Sequence, residues 1–226
     1  MRQVNDMCDE LHAWANSLPV HDFPFDINQL PKNGIYLLFE RGEVAHGANR
    51  IVRIGTHTGQ DQLRSRLQQH FLTENKDRSI FRKNIGRALL RRAHDPFLVD
   101  WEVDLTTADA KARHAGKIDR DRMKAIEEQV SNYMRLNFSF VAVEVGTKEA
   151  RLHLESRMIS TVSRCSECRP SMSWLGNYSP KDKIRKSGLW LVNELYKDPL
   201  EPHDFRELMR ATSVTGGFHQ QKRIRA

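Results

Sequence analysis

Cysteine is scarce: Cys8, Cys165 and Cys168 are the only three, an odd number too small for a disulfide framework, which fits a reducing compartment. No run approaches the roughly 20 consecutive apolar residues that a membrane-spanning helix needs. The N-terminal residues are polar and acidic where a secretory leader is basic and then apolar, so the expected location is cytoplasmic, with no membrane association. Internal repeats and low-complexity segments are missing, which excludes solenoids and arrays. Cys165-Ser166-Glu167-Cys168 has no second CxxC or CxxH to complete it. It reads either as half of a zinc site with His153 and Cys8 or another histidine, or as two ordinary thiols near a helix end; the missing partner motif favours the thiols.

What is there suits a soluble globular chain of 226 residues, 39% apolar and 29% charged, long enough to bury one core of ordinary size. Lys and Arg number 36 against 29 Asp and Glu, a net charge of +7 that favours polyanionic partners. Val4, Met7, Leu11, Trp14 and Leu18 recur at helical spacing, and Pro19, Pro24 and Pro31 then break the pattern. Residues 34–39 and 50–54 read as neighbouring antiparallel strands. Asp61 is placed to cap a helix carrying Leu63, Leu67 and Phe71, and Ser79 to cap a basic helix with Phe81, Ile85 and Leu89 as its buried stripe. Residues 97–105 alternate apolar and acidic and read as a strand; a long amphipathic helix through Ile118–Met134, a strand over 138–145 and a helix capped by Thr147 follow. Residues 187–196 look helical, and the last residues, 220–226, form a basic tail. The fold class is α+β, a small mixed or antiparallel sheet flanked by helices.

Two groups carry chemistry. Glu155 stands three residues after Leu152 and four before Ile159, inside the apolar stripe of its helix. An ionised carboxylate there needs a cation, a metal, or an opening onto a cleft; the plain alternative is an ion pair with Arg151 or Arg157. Arg66 and His70 are four apart on one helix face after a glycine-bearing loop. Such a face suits phosphate, since guanidinium offers forked donors and imidazole exchanges protons near neutral pH; taken alone, a solvated basic face explains it as well.

Gly34-Ile35-Tyr36, then Arg53-Ile54-Gly55, then Leu63-Arg64-Ser65-Arg66-Leu67 and a helix bearing Leu154-Glu155 follow one another in the order found in the GIY-YIG nucleases, and over 31–174 the chain resembles that superfamily, in particular its restriction and defence endonucleases. The resemblance implies a nuclease core over 31–180, elaborated by an inserted helical segment at about 79–137, preceded by an N-terminal helix and proline-rich connection (1–30) and followed by a helical extension and basic tail (181–226).

By the same resemblance, Tyr36 activates or orients the attacking water, Arg66 steadies the scissile phosphate, Glu155 ligates Mg²⁺ or Mn²⁺, and His70 assists Tyr36. The second family tyrosine is Arg53 here, able to contact phosphate but not to act as acid or base. His57 stands where a lysine is common, and Asn177 lies just beyond the family asparagine, whose place Ser173 occupies. The implied activity is divalent-metal-dependent endonucleolytic hydrolysis of nucleic acid, expected to be double-stranded DNA, with the basic helix 79–92 and the tail following the phosphate backbone and a homodimer plausible for cutting both strands. Two alternatives remain at this point: a non-cleaving binding protein that kept the fold after losing the second tyrosine, and an RNA-cleaving member.

Overall fold

A computed structural model describes residues 2–220. The elements in chain order are α1 (Arg2–Ser17), β1 (Gly34–Ala45), β2 (Ala48–Gly55), α2 (Leu63–Phe71), α3 (Ile80–Arg92), α4 (Leu98–Glu102), α5 (Ala108–Arg113), α6 (Arg120–Asn137), β3 (Phe138–Glu144), α7 (Lys148–Arg164), α8 (Asp182–Ser187) and α9 (Pro202–Gln220). The strands form one antiparallel sheet in the order β2-β1-β3, with Tyr36 opposite Gly55 on one side and Ala142 on the other. The α+β class is as the sequence implies. Of the basic tail expected at 220–226, Gln220 ends α9 and the rest lies outside the described residues.

The central strand β1 is buried on both faces, and its alternation sorts the core into two layers. Tyr36, Leu38, Val52 and Phe140 face α2, α3 and α6 through Leu67, Phe71, Phe81, Ile85, Val130 and Met134. Ile35, Leu37, Ile51, Ile54 and Val141 face α1, α7 and α9 through Leu11, Trp14, Met158, Ile159 and Leu208. Ser79 and Thr147 cap α3 and α7 with their side-chain oxygens. The cap expected of Asp61 is not made: α2 starts after Gln62, whose side chain does not cap, while Asp61 sits at φ +55° and accepts a 2.5 Å hydrogen bond from Asn33.

Three further expectations are corrected. Residues 97–105 form no strand; they turn into the short helix α4 and an irregular exit. Phe97 and Trp101 share the core at a spacing of four, Val99 is 76% exposed, and the Trp101 indole packs where a Cβ on Gly86 would lie 2.3 Å from its ring and donates to the Lys83 carbonyl. Residues 187–196 are not a helix, because α8 ends at Gly188 in the left-handed region (φ +69°). The chain then passes beside β2 in a series of bends, with Trp190 N–H donating to Val52 O at 2.8 Å, and sends Leu189 into one core layer and Trp190 into the other. The basic helix α3 also turns its cations inward. Arg82 is buried and donates to Glu127 of α6 at 2.8 Å, Arg87 to Glu102 at 2.5 Å, and Lys83 to the Glu102 carbonyl at 2.9 Å. These three hold the segment 79–137 to itself and are not available to follow a polyanion; of the helix's basic residues only Arg91 and Arg92 are exposed.

Candidate active site

The sheet, α2 and the start of α3 build the first part of the site. Tyr36 points from near the start of β1 into the helical layer, where its hydroxyl lies 2.8 Å from His70 Nε2 on α2. The other imidazole nitrogen lies 2.6 Å from the hydroxyl of Ser79, the cap of α3. His70 is wholly buried, and burial followed by the field of Arg53, Arg66 and Arg82 pushes its pKa well below the ordinary 6.5, so the imidazole is neutral. With Tyr36 donating to Nε2, Nδ1 carries the proton given to Ser79, and the phenol faces a base able to take its hydrogen. Gly55, opposite Tyr36, is required here: a Cβ at that position would lie 2.3 Å from the phenol oxygen.

Glu155, on α7, arrives from the other face of the molecule. Its Oε1 accepts from the backbone N–H of Thr56, directly after Gly55, at 3.0 Å. Burial raises its pKa from 4.5 to about 7, against the lowering effect of Arg53, the Thr56 N–H and Arg66. Neither cation considered for an ion pair provides one: Arg151 donates to the carbonyls of Val145, Gly146 and Gly59, and Arg157 to Pro199 O, lying 3.6 Å from Glu201. The carboxylate instead opens on a cleft of about 470 Å³ whose walls include Arg53, Arg66, Asn84, Trp190 and Glu194.

Arg53 and Arg66 therefore share one concavity with Glu155, and both are close enough to depress His70. Arg53 is 5% exposed, donates to Trp190 O at 2.5 Å, and lies 4.9 Å over the Phe81 ring; its Nε has no hydrogen-bond partner. Tyr36 does not line the cleft. It is fully buried with His70, one layer behind the Gly55–Thr56 backbone that carries the Glu155 contact.

The other two candidates lie apart. His57 commits both nitrogens to the chain that precedes and follows it, Nε2 accepting from Gly34 N–H at 3.3 Å and Nδ1 donating to Gly59 O at 2.7 Å; burial lowers its pKa and keeps it neutral. It lines a separate depression of about 260 Å³ with Thr56, Arg66 and Gln69. Asn177 donates to the carbonyls of Ser171 and Met172 and ties that turn together, away from the cleft. Three polar residues in the cleft escaped the sequence reading: Asn84, Asn193 and Glu194. Asn84 is hidden among the basic residues of α3, and the other two stand on the irregular segment after Gly188 that reads as a helix in sequence.

Glu155 presents to the cleft a carboxylate of the kind that suits Mg²⁺ or Mn²⁺. Glu194 lines the same cleft and raises the Glu155 pKa, but its own oxygens are held by Lys197 at 2.8 and 2.9 Å and by the Ser156 hydroxyl at 2.6 Å. Among the described residues no helix is long and apolar enough to cross a membrane. No curated protein and no solved structure matches the chain. A family profile described as the GIY-YIG domain matches residues 16–215. That span takes in Tyr36, Arg66, His70 and Glu155 together with every strand of the sheet, and the chain belongs to the GIY-YIG family.

Proposed function

We propose that this protein is a divalent-metal-dependent endonuclease that hydrolyses phosphodiester bonds in DNA and acts in restriction or defence. The observation that carries the reading is Glu155: a carboxylate largely removed from water, held by one backbone N–H, in a cleft it shares with two guanidinium groups. A buried acid without an ion-pair partner costs stability, and a substrate-bound cation supplies the missing compensation.

Glu155 would hold Mg²⁺ or Mn²⁺, which when bound would act as a Lewis acid on the phosphate. Arg66, half-buried on the cleft wall, stabilises the charge that builds on the phosphoryl oxygens, and Arg53, with its Nε unpartnered, adds a second positive charge where the family tyrosine is absent. Tyr36 orients the attacking water, its phenol held by a hydrogen bond to neutral His70, whose tautomer Ser79 fixes. Because Tyr36 is fully buried, water must gain access to its oxygen as substrate seats. His57 and Asn177 serve as braces of the loops around the site. We assign the core to 31–180, with 79–137 as an elaboration fastened by its own ion pairs, and propose a cytoplasmic protein whose double-strand cleavage would use a homodimer.

The test is a plasmid cleavage assay with Mg²⁺ or Mn²⁺, comparing the parent with Glu155→Gln and Arg66→Ala. Cleavage by the parent and its loss in both folded variants is the expected result. The burial of Tyr36 and the presence of Arg53 favour a second reading, a binding protein that does not cut. Salt-sensitive DNA binding with no cleavage of DNA or RNA under either metal supports that reading; cleavage of RNA alone moves the substrate class.

A further inference from the structure

Away from the cleft, the structure closes a constellation that the sequence leaves half-made. Cys165 and Cys168 follow the end of α7, Cys8 comes from α1, and His46 from the tight turn between β1 and β2. The three sulfurs and one ring nitrogen of His46 lie within 4.8 Å of one another. Cys8 Sγ is 3.4 Å from Cys168 Sγ, and His46 Nε2 is 3.3 Å from Cys165 Sγ and 3.4 Å from Cys168 Sγ. Tetrahedral bonds of about 2.3 Å to sulfur and about 2.0 Å to nitrogen imply edges of roughly 3.5–3.8 Å, within a few tenths of an ångström of these separations.

We propose that Cys8, His46, Cys165 and Cys168 form a structural zinc site that ties α1, the β1–β2 turn and the end of α7 together. Four electron-pair donors converge on one point in the interior, all three cysteines are buried, and the His46 side chain is 2% exposed. The far side of the His46 ring faces two carboxylates, with Nδ1 3.6 Å from Asp9 and 3.5 Å from Glu167, the environment that orients a metal-bound imidazole. Glu167 N–H is directed at Cys165 Sγ at 3.4 Å, a donor that stabilises a thiolate. His46 is held at φ +52°, an uncommon backbone conformation for a residue with a side chain, which places its ring in the cluster.

The neighbouring His12 is not a ligand, since its Nε2 accepts from Ile51 N–H at 3.2 Å and its Nδ1 donates to the Cys8 carbonyl at 2.8 Å. His153, the partner suggested by sequence, pairs with Asp204 at 2.7 Å instead. With four protein ligands the site has no open position, which marks it as structural. Cys165 lies ten residues beyond Glu155, about 15 Å along the helix, so this centre is separate from the catalytic one.

Zinc content of the purified full-length chain, measured by elemental analysis, tests this directly. About one zinc per chain is expected, unchanged in Glu155→Gln and lost in Cys165→Ser and Cys168→Ser. Replacing zinc by Co²⁺ in the parent should give thiolate-to-metal charge transfer and the visible bands of a tetrahedral site, which needs no variant and stands even where a cysteine variant fails to fold. His46→Cys should keep the metal and alter that spectrum. A folded, zinc-free chain with three titratable thiols overturns the proposal, as does a Cys8–Cys168 disulfide found by mass spectrometry or a zinc content that survives Cys168→Ser.

Discussion

Replacing Glu155 by Gln should make the protein more stable while removing its metal binding. The folded-state pKa of Glu155 is raised from 4.5 to about 7, with burial as the main cause. For a raised carboxyl pKa the sign is fixed: relative stability is full below pH 4.5, where folded and unfolded chains are both protonated. It declines as only the unfolded chain ionises, and it is wholly lost once pH passes about 7. The gap corresponds to roughly 3 kcal/mol at pH 8. Glutamine is a near-isostere of the protonated acid and keeps an oxygen for the Thr56 N–H, so the variant should recover roughly 2–3 kcal/mol. For a chain of this size that raises Tm by roughly 4–12 °C. Thermal melts of both proteins at pH 8 and pH 4.5, with no divalent ion added, should show a large gain at the higher pH and almost none at the lower. Millimolar Mg²⁺ should then raise the parent's Tm and leave the variant's alone, because only the parent offers the anionic ligand. A variant no more stable than the parent at pH 8, or a gain equal at both pH values, refutes the claim that an uncompensated buried charge sits here.

Tyr36→Phe leaves His70 Nε2 without its partner, so it should cost about 1–3 kcal/mol in a denaturant melt and reduce cleavage at least about 100-fold. Gly55→Ala places a methyl against the Tyr36 hydroxyl, and circular dichroism melts should show a loss of about 1–3 kcal/mol with cleavage impaired alongside. His70 has a lowered pKa, so its contribution is complete above pH 6.5 and lost as pH falls; the parent should lose more stability between pH 6.5 and 5 than His70→Asn, measured by chemical denaturation. Arg53→Tyr, which restores the residue usual in the family, should fail to increase cleavage and should destabilise the fold, because it removes the donor to Trp190 O and the cation over Phe81.

The sheet and the motif residues were legible because they obey short-range rules. A run of strand formers marked residues 34–39 as a strand, and a spacing of four put Arg66 and His70 on one side of α2. Two of the errors share a different origin: at 97–105 and in α3, a contact distant in sequence overrode a local pattern. The alternation at 97–105 is compatible with a strand, yet the pocket that Gly86 leaves for Trp101 decides for a helix turn. The charges of α3 look solvated until Glu127 and Glu102 meet them from α6 and α4.

The same logic explains why the sequence favoured ordinary thiols over a complete metal-ligand cluster and why part of the cleft was missed. A CxxC announces two ligands, but Cys8 and His46 stand 157 and 119 residues before Cys165, on elements whose packing no spacing rule encodes. Likewise Asn193 and Glu194 line the cleft because Gly188 ends α8 and the irregular segment after it passes beside β2 at Trp190. Both centres hang on α7, with Glu155 near its middle and Cys165 at its end. A metal that pins the end of this helix to α1 and the β1–β2 turn therefore also limits how far Glu155 can drift from Arg53 and Arg66. The positioning of the carboxylate is then a property of the whole layered fold, which is why sequence spacing could name the residue but not show what holds it in place.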